Sequence, residues 1–262
     1  MKLFITGGSG FIGTAVVREA KRRKHRVLLL KGRLNDRRAI EVSLARFKPD
    51  AVIHLAWEGI PDLGKRLSAK NKREGIAFFK LLARMKVPKV VVTGSCWQHA
   101  REGKYGDHRD FVEAKNKLQK EGRTIIEKSG GSFIWTFPYY VYGPGKRSGA
   151  LIPALMNDAK KGIAPVAKQP DAYHDFVYVD DVARALVLLA EKSVHGGAYD
   201  IGSGSLTRTG DIANAIARAF TLPVQKLKRA KKTGLRANTR ALTRATGWRA
   251  RVSIDAGLQA TM

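Results

Sequence analysis

TGGSGFIG (6–13) stands between an apolar run, KLFIT (2–6), and a helix-period stretch over 10–23. Few features constrain a fold as strongly as a glycine triplet at this junction. Gly7 permits a tight turn out of the strand, Gly10 lets the backbone approach a pyrophosphate, and Gly13 lets the helix pack closely on the sheet. The helix start adds N–H groups and the positive end of its dipole at the same point. The segment predicts a dinucleotide-binding βα unit at the head of the chain.

The rest of the sequence keeps that rhythm. Strands are expected over 26–30, 51–56, 89–94, 132–137 (broken at Pro138), 175–179 and 198–202. Helices are expected over 38–47, 71–85, 110–130, 150–161 and 181–192. Short, continuous apolar strands separated by helices indicate a parallel sheet covered on both faces. The expectation is a doubly wound α/β (Rossmann) fold with a smaller C-terminal substrate lobe. Residues 1–145 plus 175–203 would form the dinucleotide-binding domain, and 146–174 plus 204–262 the lobe, with two or three short helices beyond Gly204.

Composition narrows the surroundings. Hydrophobic residues make up 44% of 262, enough for a core, and a single cysteine, Cys96, leaves no internal disulfide. No leader pattern is visible and the apolar runs are too short to span a bilayer, so the reading is a soluble cytoplasmic protein. The formal net charge is +27, and 226–251 carries ten Lys or Arg and no acid. Such a field draws anions: nucleotides, sugar phosphates, nucleic acid or anionic lipid. The basic patches lack interleaved aromatics and no nucleic-acid module is present, which ranks nucleic acid last. The six histidines show no paired ligand spacing, so no metal site is expected.

The end of the second strand selects between cofactors. A carboxylate there would bind an NAD ribose; instead LLLKGR places Lys31 and Arg33, which suit the 2′-phosphate of NADP. NADP is therefore expected, with NAD possible.

These residues resemble the extended short-chain dehydrogenase/reductase family of nucleotide-sugar epimerases, dehydratases and ketoreductases. TGGSGFIG resembles its TGxxGxxG loop, HLAW (54–57) its HLAA, FPYYVYGPG (137–145) its RPxNVYGPG, and HDFVYVDDVARAL (174–186) its RDFVYVDDVARAL. AYDIGSG (198–204) and TGWRARVSIDAGL (246–258) resemble its closing segments. The chain is compact, as if one strand–helix unit were lost between Leu30 and Ala51. The resemblance implies cofactor contacts at Gly7, Gly10, Phe11, Ile12, Gly13, Leu55, Ala56, Trp57, Asn71, Lys115 and Pro138, beside Lys31 and Arg33. It implies substrate contacts at Ser95, Cys96, Trp97, Tyr140 and His174. It also implies a homodimer through helices near 71–85 and 111–128.

The family's chemistry, as the resemblance implies it, is hydride exchange at a sugar carbon, with a tyrosine moving the proton. A lysine lowers the phenol's pKa, and a serine binds the reacting oxygen. Ser95 and Lys115 fall at the serine and lysine positions. The tyrosine position is Phe111, which carries no proton. His108, one helical turn earlier, and Tyr140 are the substitute acids, with Tyr105 and His99 behind them and Cys96 last. His174 replaces an arginine that grips a diphosphate; only a protonated imidazole, helped by 226–251, would serve. The preferred expectation is an NADPH-dependent ketoreductase acting on a nucleotide sugar or similar anionic substrate. The alternative is a catalytically weak or inactive NADP-binding sensor or partner protein.

Overall fold

A computed structural model describes residues 1–60, 63–100, 108–145 and 150–262. Its centre is one parallel sheet. The strands are β1 (Lys2–Thr6), β2 (Arg26–Leu29), β3 (Ala51–His54), β4 (Lys89–Thr93), β5 (Ser132–Pro138) and β9 (Gly197–Ile201). They lie in the order β2-β1-β3-β4-β5-β9, with every pair parallel. The direction of winding reverses between β1 and β3, the point where such sheets open a ligand crevice. β2 is the edge strand and α2 (Arg37–Phe47) leads from it into β3, so the outer strand–helix unit is missing as the sequence implied.

Period-two alternation builds both faces. Leu3, Ile5, Ala51, Ile53, Val91 and Ile134 pack beneath α1 (Phe11–Arg22) and α6 (Val179–Glu191). Phe4, Val52, Val90, Val92, Phe133 and Trp135 point the other way, toward α2, α3 (Lys65–Arg84) and α4 (Arg109–Lys128). A third apolar cluster joins β6 (Tyr140–Tyr142), β8 (Phe176–Tyr178), α5 (Leu151–Lys160), α7 (Thr209–Ala219) and α9 (Ile254–Gln259). β6 pairs with β8 in parallel, and β7 (Tyr173–His174) with β10 (Thr207–Arg208) antiparallel. α8 (Arg240–Thr246) packs against α6 near Trp248, whose indole donates to Asp181 O at 3.0 Å.

Three boundaries differ from expectation. α3 begins six residues before Asn71, because its first turns are held by polar contacts: Ser68 donates to Leu63 O and Lys70 pairs with Glu58. β5 runs through Pro138, which lies beyond the last β4 pair (Thr93 with Thr136), so its missing N–H costs no ladder bond there. The β7–β10 pair carries too few residues to give a sequence pattern.

Candidate active site

The glycine loop closes on itself. Gly10 N donates to Gly7 O at 3.0 Å, and Gly7 has φ +70°. A Cβ at Gly7 would sit 2.8 Å from Ala56 N, and one at Gly13 only 2.0 Å from Gly7 O. α1 then opens from Gly10 with no side-chain cap and no acid in its first turn, leaving its positive end for an anion. The cradle fits a dinucleotide pyrophosphate. Phe11 and Ile12 pack on the core beneath, which leaves the main chain of this turn as the ligand-facing part.

At the end of β2, Lys31 and Arg33 are both exposed. Sequence reasoning missed what faces them. Glu58, from the loop after β3, pairs with Arg33 at 2.8 Å and with Lys70; the Lys70 ammonium holds its carboxyl below the usual range. Asn71 holds this loop. Its Oδ1 accepts from Glu58 N at 2.8 Å and its Nδ2 donates to Glu58 O at 2.9 Å, so the side chain fixes this loop. Leu55, Ala56 and Trp57 lie half-buried along the same loop, with Ala56 N donating to Thr6 Oγ1, and Pro138 is buried.

α4 carries His108, Phe111 and Lys115 along one stripe at i, i+3 and i+7. Lys115 is 4% exposed; its Nζ donates to Thr93 O at 2.8 Å and lies 3.9 Å from the Trp57 ring centroid. Burial pushes the amine down to about 7. Neighbouring His54 is driven to about 3, by burial first and the Lys115 charge second, and is neutral. Phe111 is buried and meets Trp57 edge-to-face at 5.3 Å. Trp57 Nε1 is itself buried without a hydrogen-bond partner among the described residues.

Ser95 caps a single 3-10 turn (Cys96–His99), accepting from Trp97 N at 3.3 Å. Gln98, another residue the sequence reading missed, locks that turn. Its Oε1 accepts from Ser95 N and Trp135 Nε1, each at 3.1 Å, while its Nε2 donates to Asn116 and Gln119 on α4. Gly94 was the available signal, since a Cβ there would lie 2.3 Å from Gln98 Oε1.

The proposed acids separate clearly. Cys96 is buried against Tyr139 and Ala237, and burial pushes its thiol up to about 12. Burial raises the Tyr140 phenol, and the ring stacks on His174 at 4.0 Å. His174 is pushed toward the neutral form by burial, against the expectation of a diphosphate-gripping cation. His99 is held by Asp200 at 2.8 Å. Tyr105 lies outside the described residues. His108 packs on Trp97 at 4.7 Å, with Nδ1 buried and unpartnered among the described residues. The rings of His108, Trp97, Tyr140 and His174 form a continuous row.

Lys115 has a stability consequence. Its folded pKa lies below its unfolded value near 10.4, so the unfolded chain binds more protons between those limits. Stability is therefore expected to rise from pH 7 toward pH 9, by up to about 1.4 kcal/mol per unit. The rise should vanish in Lys115→Met. Denaturant titrations of both proteins across this window check it; an unchanged slope in the variant refutes the assignment.

Residues 3–202 match the model of the NAD dependent epimerase/dehydratase family. A probable dTDP-glucose 4,6-dehydratase of Sinorhizobium fredii is 25% identical, with 82% of this chain and 75% of the relative covered. CDP-abequose synthase of Salmonella muenchen is 22% identical over 98% of this chain and 96% of its own. In structure, the UDP-glucose 4-epimerase of Thermotoga maritima, solved with UDP-glucose, superposes with a TM-score of 0.85 at 20% identity, covering 100% of this chain and 97% of that one. With the glycine cradle, the reversal point beside it and the α4 lysine inside the matched region, the chain belongs to the NAD-dependent epimerase/dehydratase family of enzymes.

Proposed function

We propose that the protein is an NADPH-dependent reductase of a carbonyl group on a nucleotide sugar. The observation that carries the cofactor choice is the end of β2, where exposed Lys31 and Arg33 stand without an acid on the strand and Arg33 shares the carboxylate of Glu58 with Lys70. A 2′-phosphate there exchanges for Glu58 on Arg33 and gains charge-assisted hydrogen bonds. NADP serves net reduction, which favours a ketoreductase over an epimerase. The nucleotide-sugar class is supported by relatives and structural neighbours named for dTDP-, CDP- and UDP-sugar chemistry.

When bound, NADPH supplies the hydride. The chain's part is to hold and to protonate. Gly7, Gly10 and Gly13 seat the pyrophosphate, and Lys115 takes the nicotinamide ribose. Ser95, fixed by Gln98, hydrogen-bonds the reacting oxygen. Phe111 stands where the resemblance places the proton-donating tyrosine, and His108 takes over that task. The supporting observation is its unsatisfied, buried Nδ1 on the same stripe as Lys115, beside the Ser95 turn. An imidazole can carry the proton that a general acid at this position must deliver.

Two measurements test the reading: NADP(H) and NAD(H) affinities, and NADPH oxidation over a panel of UDP- and dTDP-linked keto-sugars. Tighter NAD binding rejects the cofactor choice. Glu58→Gln is expected to raise NADP affinity several-fold and leave NAD affinity lower or unchanged, measured by calorimetry. Equal gains for both cofactors would place Glu58 away from the 2′-position. The second reading, an NADP-binding protein without turnover, draws on the Trp57 ring lying over Lys115 and against Phe111. It predicts cofactor binding and no NADPH oxidation across the panel.

A further inference from the structure

Eight large hydrophobic side chains are conspicuously exposed among the described residues, and three of them lie on two joined stretches beside the third apolar cluster. Ile163 (56% exposed) and Val166 (57%) lie in the loop after α5, and Val224 (50%) in the extended segment after α7. The two stretches are joined directly: Ala167 N donates to Gln225 Oε1 at 3.3 Å. Gln225 is in turn pinned to α7, its N donating to Asn214 Oδ1 at 2.8 Å and its O accepting from Asn214 Nδ2 at 3.0 Å. The aliphatic tips are thus presented by fixed backbone.

Cations flank them along both stretches. Lys160, Lys161 and Lys168 come from α5 and its loop; Lys226, Lys228 and Arg229 come from the extended segment. All six are exposed, and none is in an ion pair among the described residues. Of the nearby acids, Asp171 is engaged by Arg208, which leaves Asp158 and Asp211 as the remaining carboxylates on these elements. Farther along the same segment, Leu235 packs against the Cys96, Tyr139 and Ala237 cluster, as Trp97 and Tyr140 also do.

We propose that this face docks on an anionic lipid bilayer, with Ile163, Val166 and Val224 entering the headgroup–acyl boundary and the six cations meeting lipid phosphates. Exposed aliphatic tips flanked by exposed Lys and Arg fit an interface that is apolar below and negatively charged at its surface. A nucleic acid would use the cations but gains nothing from exposed aliphatics; it would call for aromatic stacking, and none of the exposed tips is aromatic. No helix among the described residues is long and apolar enough to cross a membrane, so the contact is peripheral. It is independent of the reaction proposed above.

The test is co-sedimentation of the full chain with phosphatidylcholine vesicles, with and without one part in three phosphatidylglycerol. An Ile163→Ser/Val166→Ser/Val224→Ser variant keeps the net charge and removes only exposed methyl groups, and its Tm and NADPH affinity report that it is folded. Wild type should partition onto the anionic vesicles only, more weakly as salt rises. The triple variant should bind at least about tenfold more weakly, since each buried methylene contributes. No binding to anionic vesicles overturns the proposal. So does equal binding by the variant, which would mean charge alone, or tighter binding to an oligonucleotide than to vesicles with the variant matching wild type there.

Discussion

His108→Asn is expected to lower kcat for NADPH-dependent carbonyl reduction by about 10²–10⁴-fold, the usual value of a positioned general acid, with NADPH affinity unchanged. Asparagine keeps a polar side chain at the N-cap of α4 but cannot release a proton, so the loss isolates proton transfer from packing against Trp97. Adding Phe111→Tyr in that background should restore turnover. The new phenol lies one turn from the Lys115 amine, whose charge lowers its pKa, and its oxygen can accept from the unpartnered Trp57 Nε1. A His108→Asn enzyme as fast as wild type ends the assignment. If wild type never oxidises NADPH and Phe111→Tyr alone does, the natural protein is a binder whose site is otherwise assembled.

Gly13→Ala should abolish measurable NADP binding and lower Tm by several degrees. The added Cβ would lie 2.0 Å from Gly7 O and 2.8 Å from Gly8 Cα, and both are backbone atoms of the loop itself. Neither can retreat as a flexible side chain would, so the loop must open or α1 must lift off the sheet. Overpacking of this kind costs about 1–3 kcal/mol or more, which for a chain of this length corresponds to roughly 2–4 °C per kcal/mol. Thermal unfolding with and without NADPH checks both parts: the variant should melt lower and gain nothing from the cofactor. Wild-type affinity would show that the cradle tolerates the methyl group and that the loop was assigned the wrong task.

The sheet, its winding and the glycine loop were legible because each rests on local patterns: apolar strands of four to seven residues, turn-forming glycines, and helices with one buried face. The stripe on α4 was legible for the same reason, since i, i+3 and i+7 is arithmetic on one helix. What escaped was contact between segments far apart in sequence. Glu58 reaches Arg33 only after β1 and β3 have paired. Gln98 becomes a hub only because Trp135 and α4 close around it. Asp175, fully buried, accepts from Ser203 N, Gly204 N and Ala237 N, tying strands to the basic segment through partners up to 62 residues away. The chemical state of the candidates was hidden likewise. Burial decides that His174 is no cation and that Cys96 is no acid, and burial is a property of the assembled fold.

The tryptophans divide in a useful way. Trp135 and Trp248 are fully buried in the two sheet clusters, whereas Trp57 lies over Lys115 and Trp97 stands in the ring row. Half of the protein's indole emitters therefore border the crevice, while Trp135 touches it through Gln98 and Trp248 is held by Asp181 on α6. The crevice pair would respond to whatever enters, Trp57 to a nicotinamide through energy transfer and Trp97 to a substrate ring or sugar face. Trp248 supplies the reference within the same spectrum. The chain is its own optical probe, and the two halves of the crevice can be read apart by replacing one half-buried indole at a time.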